Sequence, residues 1–245
     1  VPAMAAYTAD NNPYGDQHTT FGVRESKEAD LKNQISFQIP LYVTMVAVKS
    51  ATETKMGVPT NYIIKNTGNG DTTIGVTKVT AEHLGSSWNV VDNVTGLQAN
   101  TDMKFKIGGL DVAQKQNKKG DGSYEFATSN LKTKGAKNVM FDVSNCTDDN
   151  DRNAVLKAAN TTQFVKVDNG TNKIYPLAKD EENNLKLEAE AQAQERQTDK
   201  NTVAVFRVVY TVAALDNNGN PITTATPYAG EDANQAGYAG GNVTN

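Results

Sequence analysis

The stretch VAVFRVVYTVAAL, residues 203–215, decides how this chain folds. It is dense in Val, Phe, Tyr and Thr, the residues that suit a pleated strand, in a chain that is otherwise polar. At period two, Ala204, Phe206, Val208, Tyr210, Val212 and Ala214 share one face that carries no charge. The opposite face carries Val203, Val205, Arg207, Val209, Thr211, Ala213 and Leu215, and only Arg207 and Thr211 are polar there. A strand apolar on both faces needs cover on both, either from its own fold or from a neighbouring chain. Which of the two supplies the cover is the main functional question the sequence poses.

A second long strand signal is ISFQIPLYVTMVAV at residues 35–48. Its odd-numbered face, Ile35, Phe37, Ile39, Leu41, Val43, Met45 and Ala47, is entirely apolar. Pro40 lacks the amide donor a central strand needs, so it implies an edge strand, a bulge or a break. Shorter strands are expected over 61–65, 72–81, 88–91, 103–107 and 139–143, and a hairpin is expected where 164–167 and 173–177 flank Asp168-Asn169-Gly170-Thr171-Asn172. A short helix is expected over 152–159 and a helical turn over 26–33. The stretch LKLEAEAQAQ, residues 185–194, has helix-forming composition, but Leu185, Leu187, Ala189, Ala191 and Ala193 alternate strictly with polar residues. The alternation favours a strand, placed to pair antiparallel with 203–215 across the polar connection 195–202. The expected fold is all-β: an antiparallel β-sandwich or jelly-roll-like core over 35–228 with long loops, an extended N-terminal arm over 1–34 and a Gly-, Ala- and Asn-rich tail over 229–245.

Composition excludes several function classes. Across 245 residues the net charge is −4, with no basic footprint for nucleic acid. The densest lysine cluster, Lys115, Lys118 and Lys119, reads as a solvated Gly/Asn turn. No apolar run approaches the length of a membrane-spanning helix. Asn and Thr together make up roughly a fifth of the chain, which suits many strands joined by tight turns. Cys146 is the only cysteine, so no intramolecular disulfide can form. The opening Val-Pro-Ala-Met-Ala-Ala suggests a chain that has lost a leader peptide, hence an extracellular or cell-surface location.

No catalytic motif occurs in its required context, and the reading is that the chain is not an enzyme. Two histidines and one cysteine do not make a conventional zinc site without carboxylates. Asp149, Asp151 and Asn153 follow the oxygen spacing that begins a calcium loop, although Ala154 stands where an EF-hand needs Gly and Asn160 where it needs Glu. Calcium is therefore the one cofactor the residues suggest, against a helix-capping acidic turn as the plainer reading. Asn93, Asn145, Asn160, Asn169 and Asn242 each begin an Asn-x-Thr sequon, which permits glycosylation where the host has the machinery.

The apolar arm 1–9, the edge-like stretch 35–48, the YIIKNTG segment at 62–68 and the terminal FRVVYTVAAL at 206–215 together resemble secreted prokaryotic β-sandwich proteins that build extracellular fibres. These are the TasA/camelysin-like biofilm subunits and the donor-strand archaeal pilins and cannula subunits. The resemblance implies head-to-tail polymerisation in which the arm of one subunit completes a sheet of the next. Val1, Met4, Ala6 and Tyr7 would then be donor anchors, and Phe37, Ile39, Leu41 and Val43 the acceptor edge, with 203–215 as the other candidate edge. The only partners implied are other copies of the chain. An arm that pairs within its own subunit is the bland alternative for 1–9, and a monomeric carbohydrate-binding or adhesion module using Trp88 and loop tyrosines is the alternative function.

Overall fold

The computed structural model describes residues 35–40, 43, 45–48, 55–68, 70–97, 101–191 and 203–222. The first strands in chain order are β1 (Phe37–Gln38), β2 (Val46–Val48), β3 (Lys55–Gly57), β4 (Ile63–Asn66), β5 (Ile74–His83) and β6 (Asn89–Val90). They are followed by β7 (Asp102–Ile107), β8 (Leu110–Asp111), β9 (Gln114–Lys118), β10 (Tyr124–Thr128) and β11 (Lys137–Asp142). The one α-helix among the described residues, α1 (Asp149–Ala159), precedes β12 (Val165–Asp168), β13 (Thr171–Ile174), β14 (Glu182–Asn184), β15 (Leu187–Ala191) and β16 (Phe206–Ala214). The fold is all-β. Three sheets, ordered β1-β4-β14, β11-β5-β16 and β15-β7-β6 with β8 beside β7, contribute to one hydrophobic core. Hairpins β2–β3, β9–β10 and β12–β13 complete the described pairings, all antiparallel except β6 with β7.

The two faces of β16 have different fates. Val208, Tyr210, Val212 and Ala214 are buried, paired across β5 with Ala81, Val79, Val76 and Ile74. Phe206 lies 5.2 Å ring to ring from Phe105 of β7, and the hydroxyl of Tyr62, the residue just ahead of β4, donates to the Tyr210 hydroxyl at 3.0 Å. These two contacts tie the central sheet to both of its neighbours. The opposite face, Arg207, Val209, Thr211 and Ala213, is only half-buried, and Arg207 holds Glu82 through Nε at 3.1 Å and Nη2 at 2.9 Å. Core and half-wet surface, not two covered faces, account for this strand among the described residues.

Residues 185–194 do contain a strand, β15, but its partner is β7 and not β16. The register explains the choice: Met103, Phe105 and Ile107 meet Ala191, Ala189 and Leu187 on one face, while Lys104 and Lys106 meet Glu190 and Glu188 on the other. Apolar meets apolar and lysine meets glutamate at every step, a match that the outer face of β16, with Arg207, Val209, Thr211 and Ala213, does not offer.

Among the described residues of the expected strand 35–48, two stretches are paired: β1, which ends before Ile39-Pro40, and β2, which pairs with β3. Pro40, with no amide to donate, stands two residues past the end of β1, in line with the edge, bulge or break expected there. The lysine-rich stretch expected as a turn is instead β9, paired in register with β10; only Lys119-Gly120-Asp121-Gly122 forms the turn. Its half-buried face is Gln114, Gln116, Tyr124 and Phe126, too polar to register as a strand pattern. Helix α1 starts earlier than expected because Asp148 caps it, its Oδ1 accepting from Asn150 N at 2.7 Å and Asp151 N at 3.3 Å.

Candidate functional site

The candidate assembly edge is β1, the terminal strand of its sheet among the described residues. Phe37 opposes Asn66 and Gln38 opposes Lys65 on β4, and Thr67 N donates to Ser36 O at 3.0 Å. Phe37 is buried in the core, Ile39 and Val43 are half-buried against it, and Gln38 is exposed. Leu41 and the donor residues Val1, Met4, Ala6 and Tyr7 lie outside the described residues.

What positions this edge is Asn66, which is 1% exposed. Its Nδ2 donates to Thr72 O at 2.9 Å and Leu177 O at 3.0 Å, its Oδ1 accepts from Gly68 N at 3.0 Å, and its main chain bonds Glu181 O and Asp180 N. One residue thus fixes the end of β4: its side chain to the loop before β5 and to the 177 region, its main chain to the entry of β14. A buried, fully bonded amide of this kind holds geometry more tightly than an apolar side chain would. Sequence reasoning passed over Asn66; the available signal was an Asn-Thr-Gly turn closing an Ile-Ile-Lys run.

The calcium-like triad lies on α1. On a helix, residues two apart point about 200° away from each other, so loop spacing no longer converges on one point. Asp149 Oδ1 faces Arg152 Nη1 at 2.7 Å, and Asn153 Oδ1 accepts from Asn172 N at 2.9 Å. Asp151 Oδ1 accepts from the Tyr124 hydroxyl at 2.8 Å and faces Lys118 Nζ at 3.4 Å, while its Oδ2 accepts from Cys146 Sγ at 3.6 Å. The structure therefore gives each of the three residues its own, separate protein partners. No group of three or more His, Cys, Asp or Glu side chains is arranged to hold a metal among the described residues.

The Tyr124 hydrogen bond, helped by Lys118, holds the Asp151 carboxyl below the usual carboxylate range against a smaller burial effect. Burial, then Asp151, pushes the Tyr124 hydroxyl up to about 12 and the Cys146 thiol up to about 11. A thiol in that state is protonated at neutral pH and is no nucleophile. His83 is buried; its Nε2 lies 2.6 Å from Trp88 O and its Nδ1 accepts from Gly85 N at 3.0 Å, so it clasps a turn and has no open nitrogen. Trp88 is half-buried against the core, not displayed as a stacking platform. A cleft between Ile64, Val76, Phe164 and Tyr175 has about 10 Å³ of room, enough for one water. Asn93, Asn145, Asn160 and Asn169 of the sequons are exposed, and Asn242 lies outside the described residues.

No helix among the described residues is long and apolar enough to cross a membrane. In comparisons with known proteins the chain matches no family model, no curated protein and no solved structure.

Proposed function

We propose that the chain is a structural subunit of an extracellular filament or surface assembly, joined to its neighbours by β-strand addition. The N-terminal arm of one copy, anchored by Val1, Met4, Ala6 and Tyr7, adds to the edge of the next beside Phe37, Ile39, Leu41 and Val43. Main-chain hydrogen bonds supply affinity and alternate side chains supply specificity. Head-to-tail addition leaves a new edge each time and so propagates.

The observation that carries this reading is β1: a two-residue strand at the end of the order β1-β4-β14, followed by Ile39-Pro40, with Phe37 seated in the core. An apolar row that continues past the last paired residue is what an added strand would extend. The reading assigns the chain no reaction and no cofactor.

Negative-stain microscopy and sedimentation of the purified chain test it. Fibres are expected, and deletion of residues 1–9 should abolish them while circular dichroism and the thermal transition stay those of the folded subunit. A clean monomer at high concentration, or fibres that survive the deletion, would refute the reading.

A further inference from the structure

The outer face of the sheet β11-β5-β16 is laid out in three cross-strand rows. Lys137, Glu82 and Arg207 form the first, Val139, Thr80 and Val209 the second, and Asp142, Lys78 and Thr211 the third. Every one of these side chains is half-buried or exposed, and Val139, 38% exposed, is among the few large apolar residues the described surface displays. Beyond Thr211 the face closes, because β13 approaches Gly75 so tightly that a Cβ there would lie 2.4 Å from Ile174 Cγ2. The open patch is therefore bounded, with an uncharged row at its centre and charged rows on either side.

The signs of those rows are related by a simple operation. A half-turn about an axis along the Val139–Thr80–Val209 row brings the first row of one copy opposite the third row of another. Lys137 then faces the second copy's Asp142, Glu82 faces its Lys78, and Arg207 faces its neutral Thr211, with no like charges opposed. The central row meets itself. Two opposite-charge pairs and no like pair are thereby set across the axis, the complementarity an isologous contact demands.

We infer that this face docks against the same face of a second copy, about that twofold axis. The contact deepens the filament reading and rests on it for its setting: strand addition extends a filament lengthwise, and this face pairs two filaments side by side. With strands about 4.8 Å apart and alternate residues about 6.8 Å apart, the patch covers on the order of 300 Å² per copy. That is well below the roughly 800 Å² per partner of a free-standing complex. The contact is accordingly weak between single subunits and effective between filaments, where many copies engage at once.

Facing sheets lie about 10 Å apart, too far for a direct disulfide at the axis, so a short bis-maleimide is the suitable probe. In the full-length chain carrying Cys146→Ser, Thr80→Cys should give at least tenfold more crosslinked dimer than Val167→Cys, a reference at the 66%-exposed position in β12. Adding Glu82→Lys to Thr80→Cys should lower the yield, and adding Lys78→Glu to that pair should restore it. Equal yields at positions 80 and 167, or no recovery in the charge swap, would overturn the inference. Microscopy of the same samples keeps the two proposals apart. Single unpaired fibres without a Thr80→Cys crosslink sink the lateral contact and leave strand addition standing; a crosslink in a sample without fibres does the reverse.

Discussion

Gly75 offers a sharp test of how β5 and β13 meet. A Cβ built there would lie 2.4 Å from Ile174 Cγ2, 3.1 Å from Leu215 Cδ1 and 3.2 Å from the Tyr175 carbonyl oxygen. Ordinary contacts of this kind begin near 3.4 Å, so one neighbour must move by about 1 Å and two by a few tenths. Ile174 and Leu215 are 1% and 7% exposed and have little room to yield, and the third neighbour is main chain. Overpacking a site of this type costs about 1–3 kcal/mol. Replacing Gly by Ala also removes freedom from the unfolded chain, which returns roughly 0.4–1 kcal/mol.

The clash wins, and Gly75→Ala should destabilise by about 1–2 kcal/mol, a fall in Tm of roughly 2–8 °C for a chain of this size. Gly120→Ala is the control, since nothing lies within 4 Å of its Cβ position. Ile174→Leu moves the branch from the β to the γ carbon and removes the clashing methyl. The double variant should therefore lose less than the sum of the singles, by about 0.5 kcal/mol or more. Urea and thermal unfolding of the four variants measure this. A Gly75→Ala protein as stable as Gly120→Ala, or strict additivity with Ile174→Leu, would show that the strand and hairpin do not approach as described.

Three further outcomes follow from the helix and its surroundings. Because Asp151 has a lowered folded-state pKa, its contribution is present above the unfolded value near 3.8 and is lost as pH falls through the folded one. Tyr124→Phe should therefore lower the urea midpoint at pH 7 by an amount that shrinks as pH falls below the unfolded value, and a difference that stays constant with pH would contradict the assignment. Asp148→Ala removes the cap of α1 and should cost about 1 kcal/mol in chemical denaturation, with no change in strand content by circular dichroism. Cys146, its thiol raised from 9 to about 11, should alkylate about a hundredfold more slowly in the folded chain at pH 8 than in urea; equal rates would mean an open thiol.

Where one face of a strand was buried and the other wet, the alternation could be read directly: β7, β15 and the hairpin β12–β13 lie where period two and turn residues put them. Pairing could not be read the same way. Whether β15 joins β7 or β16 depends on the fit of two registers eighty or more residues apart along the chain, and only the completed ladder shows lysine meeting glutamate at each step. β9 escaped notice because Gln114 and Gln116 pack half-buried beside Tyr124 and Phe126, so neither face is apolar enough to display a period. The spacing of Asp149, Asp151 and Asn153 was open to two readings, a calcium loop and a helix-capping acidic turn. Its oxygen periodicity is meaningful in a loop, and Asp148, just ahead of it, nucleates a helix that turns the same residues outward in different directions. Asn66 shows the remaining limit: a polar residue in a short strand becomes a structural hub only when three separate segments bring it their carbonyl and amide groups.

The two surfaces proposed for assembly have different symmetries, and the difference fixes what each can build. Addition of a strand at the β1 edge is heterologous: donor and acceptor are different parts of the chain, so every joined copy still offers one of each, and growth has no internal stop. The β11-β5-β16 face is self-complementary about its central row, so it is satisfied by one partner and stops at two. An open contact combined with a closed one gives paired filaments and not an indefinite sheet. The charge layout bears on this limit. Were the outer rows of one sign, a second copy would be repelled; were they uncharged, the flat Val-Thr-Val face would stack without register and without limit. With Lys137, Glu82 and Arg207 on one side and Asp142 and Lys78 on the other, a slip by one row sets Lys137 against the uncharged centre and leaves Glu82 without its lysine. The ion pairs add little affinity at a solvated surface, but only the register centred on the Val139–Thr80–Val209 row forms them all.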